Sequence, residues 1–169
     1  MVTFRLGDAL PQEALREIEA TPSGDRPARA EGLLDACLGS CCLRLPECAE
    51  VVEAVLLHME GTQYRLLAWV VMPNHVHVVF QPLDGVPMSE IVQAWKSVSA
   101  RRINRLTEVQ GRVWQPEYFD RAIRGERHLT IAVEYVEGNP VKAGLVEEPG
   151  QWRYGSAWVG RTPRPLGLV

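Results

Sequence analysis

The chain has 169 residues, about one domain, and with 46% apolar and 23% charged residues it can build one substantial core and is not a disordered polymer. Its net charge of −3 excludes a uniformly basic nucleic-acid coat but leaves room for a local basic patch. No apolar run approaches the roughly 20 residues that span a bilayer, and Met1 to Asp8 shows no basic start followed by an apolar stretch, so no membrane association and a cytoplasmic location are expected.

Val2 to Leu6 alternates and is β-rich, which predicts a first strand. Pro11 opens a helix over Gln12 to Ala20, and Pro27 opens a second that runs to Leu38 and is closed by Gly39. A third starts at Pro46, with Val51, Val52, Val55, Leu56 and Met59 on one face, and stops at Gly61. Tyr64 to Met72 reads as an interior strand, Pro73-Asn74 as a turn, and His75 to Gln81 as the second arm of a hairpin. Met88 to Leu106 is a long helix, Phe119 to Arg124 a fourth strand, and Glu126 to about Asn139 a last helix ended by Pro140.

This order is that of an α+β, ferredoxin-like βαββαβ antiparallel sheet with extra N-terminal helices and a further C-terminal helix. One domain is expected over 1–169, with a helical insertion at about 12–60, a core at about 64–145 and a loop-like tail at 146–169. Cysteines 37, 41, 42 and 48 match no zinc spacing and read as small apolar residues of a reduced compartment.

Charge is uneven. Residues 1–60 carry −6, whereas residues 95–127 carry +4, and seven of the eight bases in the latter stretch are Arg. Arg suits bidentate phosphate contacts better than Lys does. By itself the pattern reads as a solvated helix face with a few surface pairs.

Two local patterns bear on chemistry. His75 and His77 lie two apart on a strand, so both imidazoles share a face, with Val79 following them, while Val76, Val78 and Phe80 take the other face. Two imidazoles on one face are half a metal site or a clamp for phosphate; the plainer alternative is two unrelated residues on a half-exposed strand. On the last helix Leu129, Ala132, Val133 and Val136 form a core stripe, and His128, Tyr135 and Asn139 flank it. Tyr135 and Asn139, i and i+4, are neighbours at the edge of that stripe; as a plain alternative they are a rim tyrosine and a helix stop.

Val70 to Val79 (VVMPNHVHVV), Trp95 to Ser97, Trp114-Gln115, Tyr118 to Arg121 and Tyr135 to Leu145 (YVEGNPVKAGL) together resemble the single-tyrosine HUH transposases, IS200-like proteins, and most closely the branch associated with repetitive extragenic palindromes (REP). The resemblance runs from about Arg65 to Trp158. It implies cleavage and rejoining of single-stranded DNA, at hairpin-forming palindromic repeats, through a 5′-phosphotyrosyl intermediate. By that resemblance Tyr135 is the catalytic nucleophile on a catalytic helix. His75, His77 and Asn139 are the ligands of a divalent metal, Mg²⁺ or Mn²⁺, and imidazole donors make Mn²⁺ the better physical fit. It also leaves monomer and homodimer open.

The basic stretch then has a use. Lys96, Arg101, Arg102, Arg121 and Arg124 are candidates to hold the DNA backbone, and Trp114 and Tyr118 to stack on bases, with core packing the alternative for both aromatics. Two rival functions stand beside the transposase. One is a non-catalytic, domesticated nucleic-acid-binding protein of the same fold. The other is a zinc hydrolase built on His75 and His77, for which no acidic partner stands at a recognisable spacing.

Overall fold

The computed structural model describes residues 1–160; the end of the expected tail, 161–169, lies outside the described residues. The chain forms β1 (Val2–Arg5), α1 (Gln12–Ala20), α2 (Arg26–Asp35), α3 (Pro46–His58), β2 (Tyr64–Val71), β3 (His75–Pro82), α4 (Met88–Thr107), β4 (Phe119–Asp120) and α5 (Glu126–Lys142). The sheet has the order β2-β3-β1-β4, with every neighbouring pair antiparallel. This is the ferredoxin-like arrangement, in which β3 is interior.

Strand parity divides the core between the two faces. Val2, Phe4, Trp69, Val71, Val76, Val78 and Phe80 pack with Val52 and Leu56 of α3 and with Ile91, Val92 and Trp95 of α4. On the opposite face Ala68, Val70, Met72 and Val79 meet Ala132 and Val136 of α5. Polar atoms in the larger core are satisfied. Trp95 Nε1 donates to Tyr64 Oη (2.8 Å), which donates to the Leu56 carbonyl (2.9 Å), and Trp69 Nε1 donates to Glu53 (3.2 Å). Such pairing lets aromatic rings be buried without a stranded donor.

Several expected boundaries move. Of the three N-terminal helices, α3 belongs to the sheet's own packing, so α1 and α2 alone are added to the basic fold. The second helix ends at Asp35, short of Leu38, and the fourth strand has two residues. The last helix runs through Pro140 to Lys142. Proline there forfeits one backbone N–H bond to the preceding turn, and the helix ends two residues later. Past α5 the chain returns to β2: the Val71 N–H donates to the Tyr154 carbonyl (2.8 Å) and the Ser156 N–H to the Trp69 carbonyl (2.9 Å). No helix among the described residues is long and apolar enough to cross a membrane.

Candidate active site

The site lies on the α5 side of the sheet. β3 presents His75 and His77, which are buried, with ring centroids 4.7 Å apart. α5 presents Tyr135, half-buried, with its ring 5.5 Å from that of His77, and buried Asn139 one turn further on. The strand alternation and the helical period therefore meet in one place.

Neighbours fix where the lone pairs point. Asn74 Nδ2 donates to the Leu38 carbonyl (3.3 Å), so its Oδ1 accepts from His75 Nδ1 (2.7 Å), leaving the His75 Nε2 lone pair free. The Thr3 hydroxyl lies 2.7 Å from His77 Nδ1, and as acceptor it leaves Nε2 of that ring in the same state. Asn139 Nδ2 donates to the Tyr135 carbonyl (3.0 Å), which turns Oδ1 the other way. Among the described residues, four buried side-chain atoms lack a hydrogen-bond partner: His75 Nε2, His77 Nε2, Asn139 Oδ1 and Asp35 Oδ1. All four belong to this neighbourhood. Unmet polar atoms are rare in native interiors, and a cluster of them leaves room for a further partner such as an ion or a water.

Electrostatics agree with neutral imidazoles. Burial, then His77, then Lys142 hold His75 well below its ordinary value. Burial pulls His77 down to about 4, against the opposing pull of Glu31. Burial, followed by hydrogen bonding and charge from Glu31, pushes the Tyr135 phenol above its ordinary value. No three or more His, Cys, Asp or Glu side chains converge to hold a metal among the described residues. The donors here are two imidazoles and a carboxamide.

A cavity of about 910 Å³ opens beside the tyrosine. Its walls include His77, Tyr135, Glu31, Tyr118, Arg121 and Phe119. Of the residues expected to hold DNA, Tyr118 and Arg121 therefore share a space with Tyr135. Lys96 donates to the Pro116 carbonyl (2.6 Å), stands over the Tyr118 ring at 6.0 Å and lines an adjoining groove of about 450 Å³ that shares Tyr118 with the cavity. Arg101 and Arg102 are exposed on α4, which packs on the other face of the sheet, and Arg124 is exposed at the entrance to α5. The basic stretch thus flanks two sides of the molecule.

Trp114 must be reassigned. It is 3% exposed, its indole N–H donates to Ser99 Oγ (2.9 Å), and it meets Phe4 edge-on at 4.8 Å, so neither ring face is available to a base. Trp114→Ala is expected to lower stability by about 3–5 kcal/mol, read by denaturant unfolding. A stacking residue would instead lose DNA affinity with stability intact.

Five residues around the site escape a reading of the sequence. Asn74 looked like a turn residue, and Thr3 faces His77 through pairing of β1 with β3. Lys142 lies seven residues after Tyr135, on its side of α5, a signal that was available in the spacing. Glu31 and Asp35, on α2, reach Lys142 across more than a hundred residues, and no local pattern announces that.

The profile of the IS200-like transposases matches residues 46–139. A REP-associated tyrosine transposase of Escherichia coli K12 is 27% identical over 104 residues, which cover 60% of this chain and 59% of that protein. The chain therefore aligns with less than two thirds of the length of this curated relative. A solved REP-associated tyrosine transposase bound to a REP hairpin superposes with a TM-score of 0.55 over 92% of this chain and 73% of that one, at 20% identity, which supports the fold.

Proposed function

Because the chain belongs to the IS200-like transposase family, we propose that it cleaves and rejoins single-stranded DNA at hairpin-forming palindromic repeats, with Tyr135 as nucleophile. The observation that carries this is the group of partnerless acceptors, His75 Nε2, His77 Nε2 and Asn139 Oδ1, beside a half-buried tyrosine. Two neutral imidazoles and an amide oxygen suit a divalent cation, Mn²⁺ better than Mg²⁺. His75, His77 and Asn139 would hold it, and it would polarise the scissile phosphate and offset charge growing on its oxygens.

The chain's own residues supply the rest. The Tyr135 oxygen attacks phosphorus and gives up its proton, the bond from phosphorus to the 3′-oxygen breaks, and that oxygen leaves as a 3′-hydroxyl. The phosphotyrosyl ester so formed keeps the bond energy, and a second 3′-hydroxyl can attack it and restore the diester. Asn74 and Thr3 orient the imidazoles. Tyr118 and Arg121, on the same cavity, are placed to receive a base and a phosphate.

The test is a labelled hairpin oligonucleotide with single-stranded flanks, incubated with Mn²⁺ or Mg²⁺ and run on a denaturing gel. A covalent protein adduct on the fragment with the new 5′ end, together with a free 3′-hydroxyl on the other, is the expected result. Binding should also fall steeply with salt, since it rests on phosphate contacts. Binding without any adduct in either metal would replace this function with that of a non-catalytic DNA binder.

A further inference from the structure

The added helices bring two carboxylates to the rim of the site. Glu31 and Asp35 stand one turn apart on α2 and share a single cation, Lys142 of α5: Glu31 pairs with it directly and Asp35 at 3.5 Å. Lys142 Nζ in turn lies 5.9 Å from the centroid of the Tyr135 ring. The anions are the more enclosed partners, with side chains 21% and 12% exposed against 52% for the lysine. One positive charge therefore answers two negative ones, and Asp35 Oδ1 is left buried without a partner.

Glu31 also lines the cavity that holds His77, Tyr135 and Arg121. The cavity as a whole is lined by Arg5, Arg26 and Arg121 as well as by Glu31 and Glu117. Beside Tyr135, however, the charges are Glu31 and Lys142, and that lysine is already engaged by Glu31 and Asp35. Ammonium is a compact charge on a flexible stem, able to move from one anion to another without backbone motion. Lys142 is the exposed partner of both pairs, with half of its side chain in solvent, so a phosphate can reach it and exchange for a carboxylate.

Resting on the strand-transfer reading of this site, we propose that Lys142 is a phosphate-binding residue of the active site, and that Glu31 and Asp35 are internal stand-ins for the phosphate that DNA must displace. The free protein is thereby self-occupied at its nucleophile. A strand is admitted when it offers Lys142 a better anion than α2 does.

Fluorescence anisotropy of a labelled hairpin oligonucleotide, with the full chain in EDTA across a salt series, tests this. Removing the stand-ins by Glu31→Gln with Asp35→Asn should tighten binding roughly three- to tenfold. The charge-matched pair Glu13→Gln with Glu19→Gln, on α1, should change it less than about twofold. Lys142→Ala should weaken binding and lower the slope of log K against log salt by about one, the signature of one lost phosphate contact, and Lys142→Arg should restore that slope. The proposal is overturned if the α2 pair tightens binding no more than the α1 pair, or if folded Lys142→Ala keeps the wild-type slope. If wild type binds no oligonucleotide, the strand-transfer reading itself fails, which is a different result.

Discussion

Tyr135→Phe is expected to abolish strand cleavage and the covalent adduct while leaving folding and DNA binding in place. The substitution removes one oxygen and keeps the ring that packs 5.5 Å from His77. Phenylalanine has no atom that can form an ester to phosphorus, so the loss should be on the order of a thousandfold or more, down to background. Affinity for the hairpin oligonucleotide should stay within about twofold, because the backbone contacts are made by other residues. End-labelled single strands on denaturing gels measure the first effect and anisotropy the second. An adduct that persists in Tyr135→Phe removes Tyr135 from the role and makes Tyr118, on the same cavity, the residue to change next.

In metal-free protein, acid should unfold the domain early. Burial holds His77 at about 4 when folded, whereas an exposed imidazole titrates near 6.5. Below that value the unfolded chain takes up the proton more readily, so stability is full above about pH 6.5 and is lost as pH falls toward 4. His77 alone contributes on the order of 2–3 kcal/mol to that slope. His75, lowered in the same direction, adds to it. Asp35, whose carboxyl burial lifts, works in the opposite sense. Chelator-treated protein melted across pH 4 to 8 should show the decline, and His75→Gln with His77→Gln should flatten it. A melting temperature unchanged between pH 7 and 5 would contradict neutral burial of the pair.

The parts of this site that could be read in advance are those set by a local period. Alternation along one strand places His75 and His77 on one side, and the helical repeat places Asn139 beside Tyr135; neither depends on distant residues. Errors arose where tertiary contacts decide. Trp114 sits among polar neighbours in the basic stretch, and only its contacts with Phe4 and Ser99 make it core. Pro140 reads as a terminator, yet α5 continues two residues past it, because a proline this near the end interrupts one bond and leaves little helix beyond to lose. The seating of α2 rests on pairs spanning more than a hundred residues. Its own sequence, with two arginines and two acids, carries nothing about what lies opposite.

The return of the chain to β2 bears on how this protein can be handled. β2 reads Tyr64-Arg-Leu-Leu-Ala-Trp-Val-Val71, a run with one charge and strong strand propensity, and it is the outermost strand on its side of the sheet. Tyr154 to Ser156 occupy its outer hydrogen-bonding groups at Trp69 and Val71, with Gly155 bridged to Val70. Uncovered, such a strand offers a template for another copy of itself, the usual origin of aggregation at sheet margins. A shortened version stopped after α5 would keep His75, His77, Tyr135 and Asn139 and still strip this cover. Tyr154 to Ser156, which carry no part of the proposed chemistry, thus cover this margin, and a chain lacking them is expected to associate with its own copies more readily.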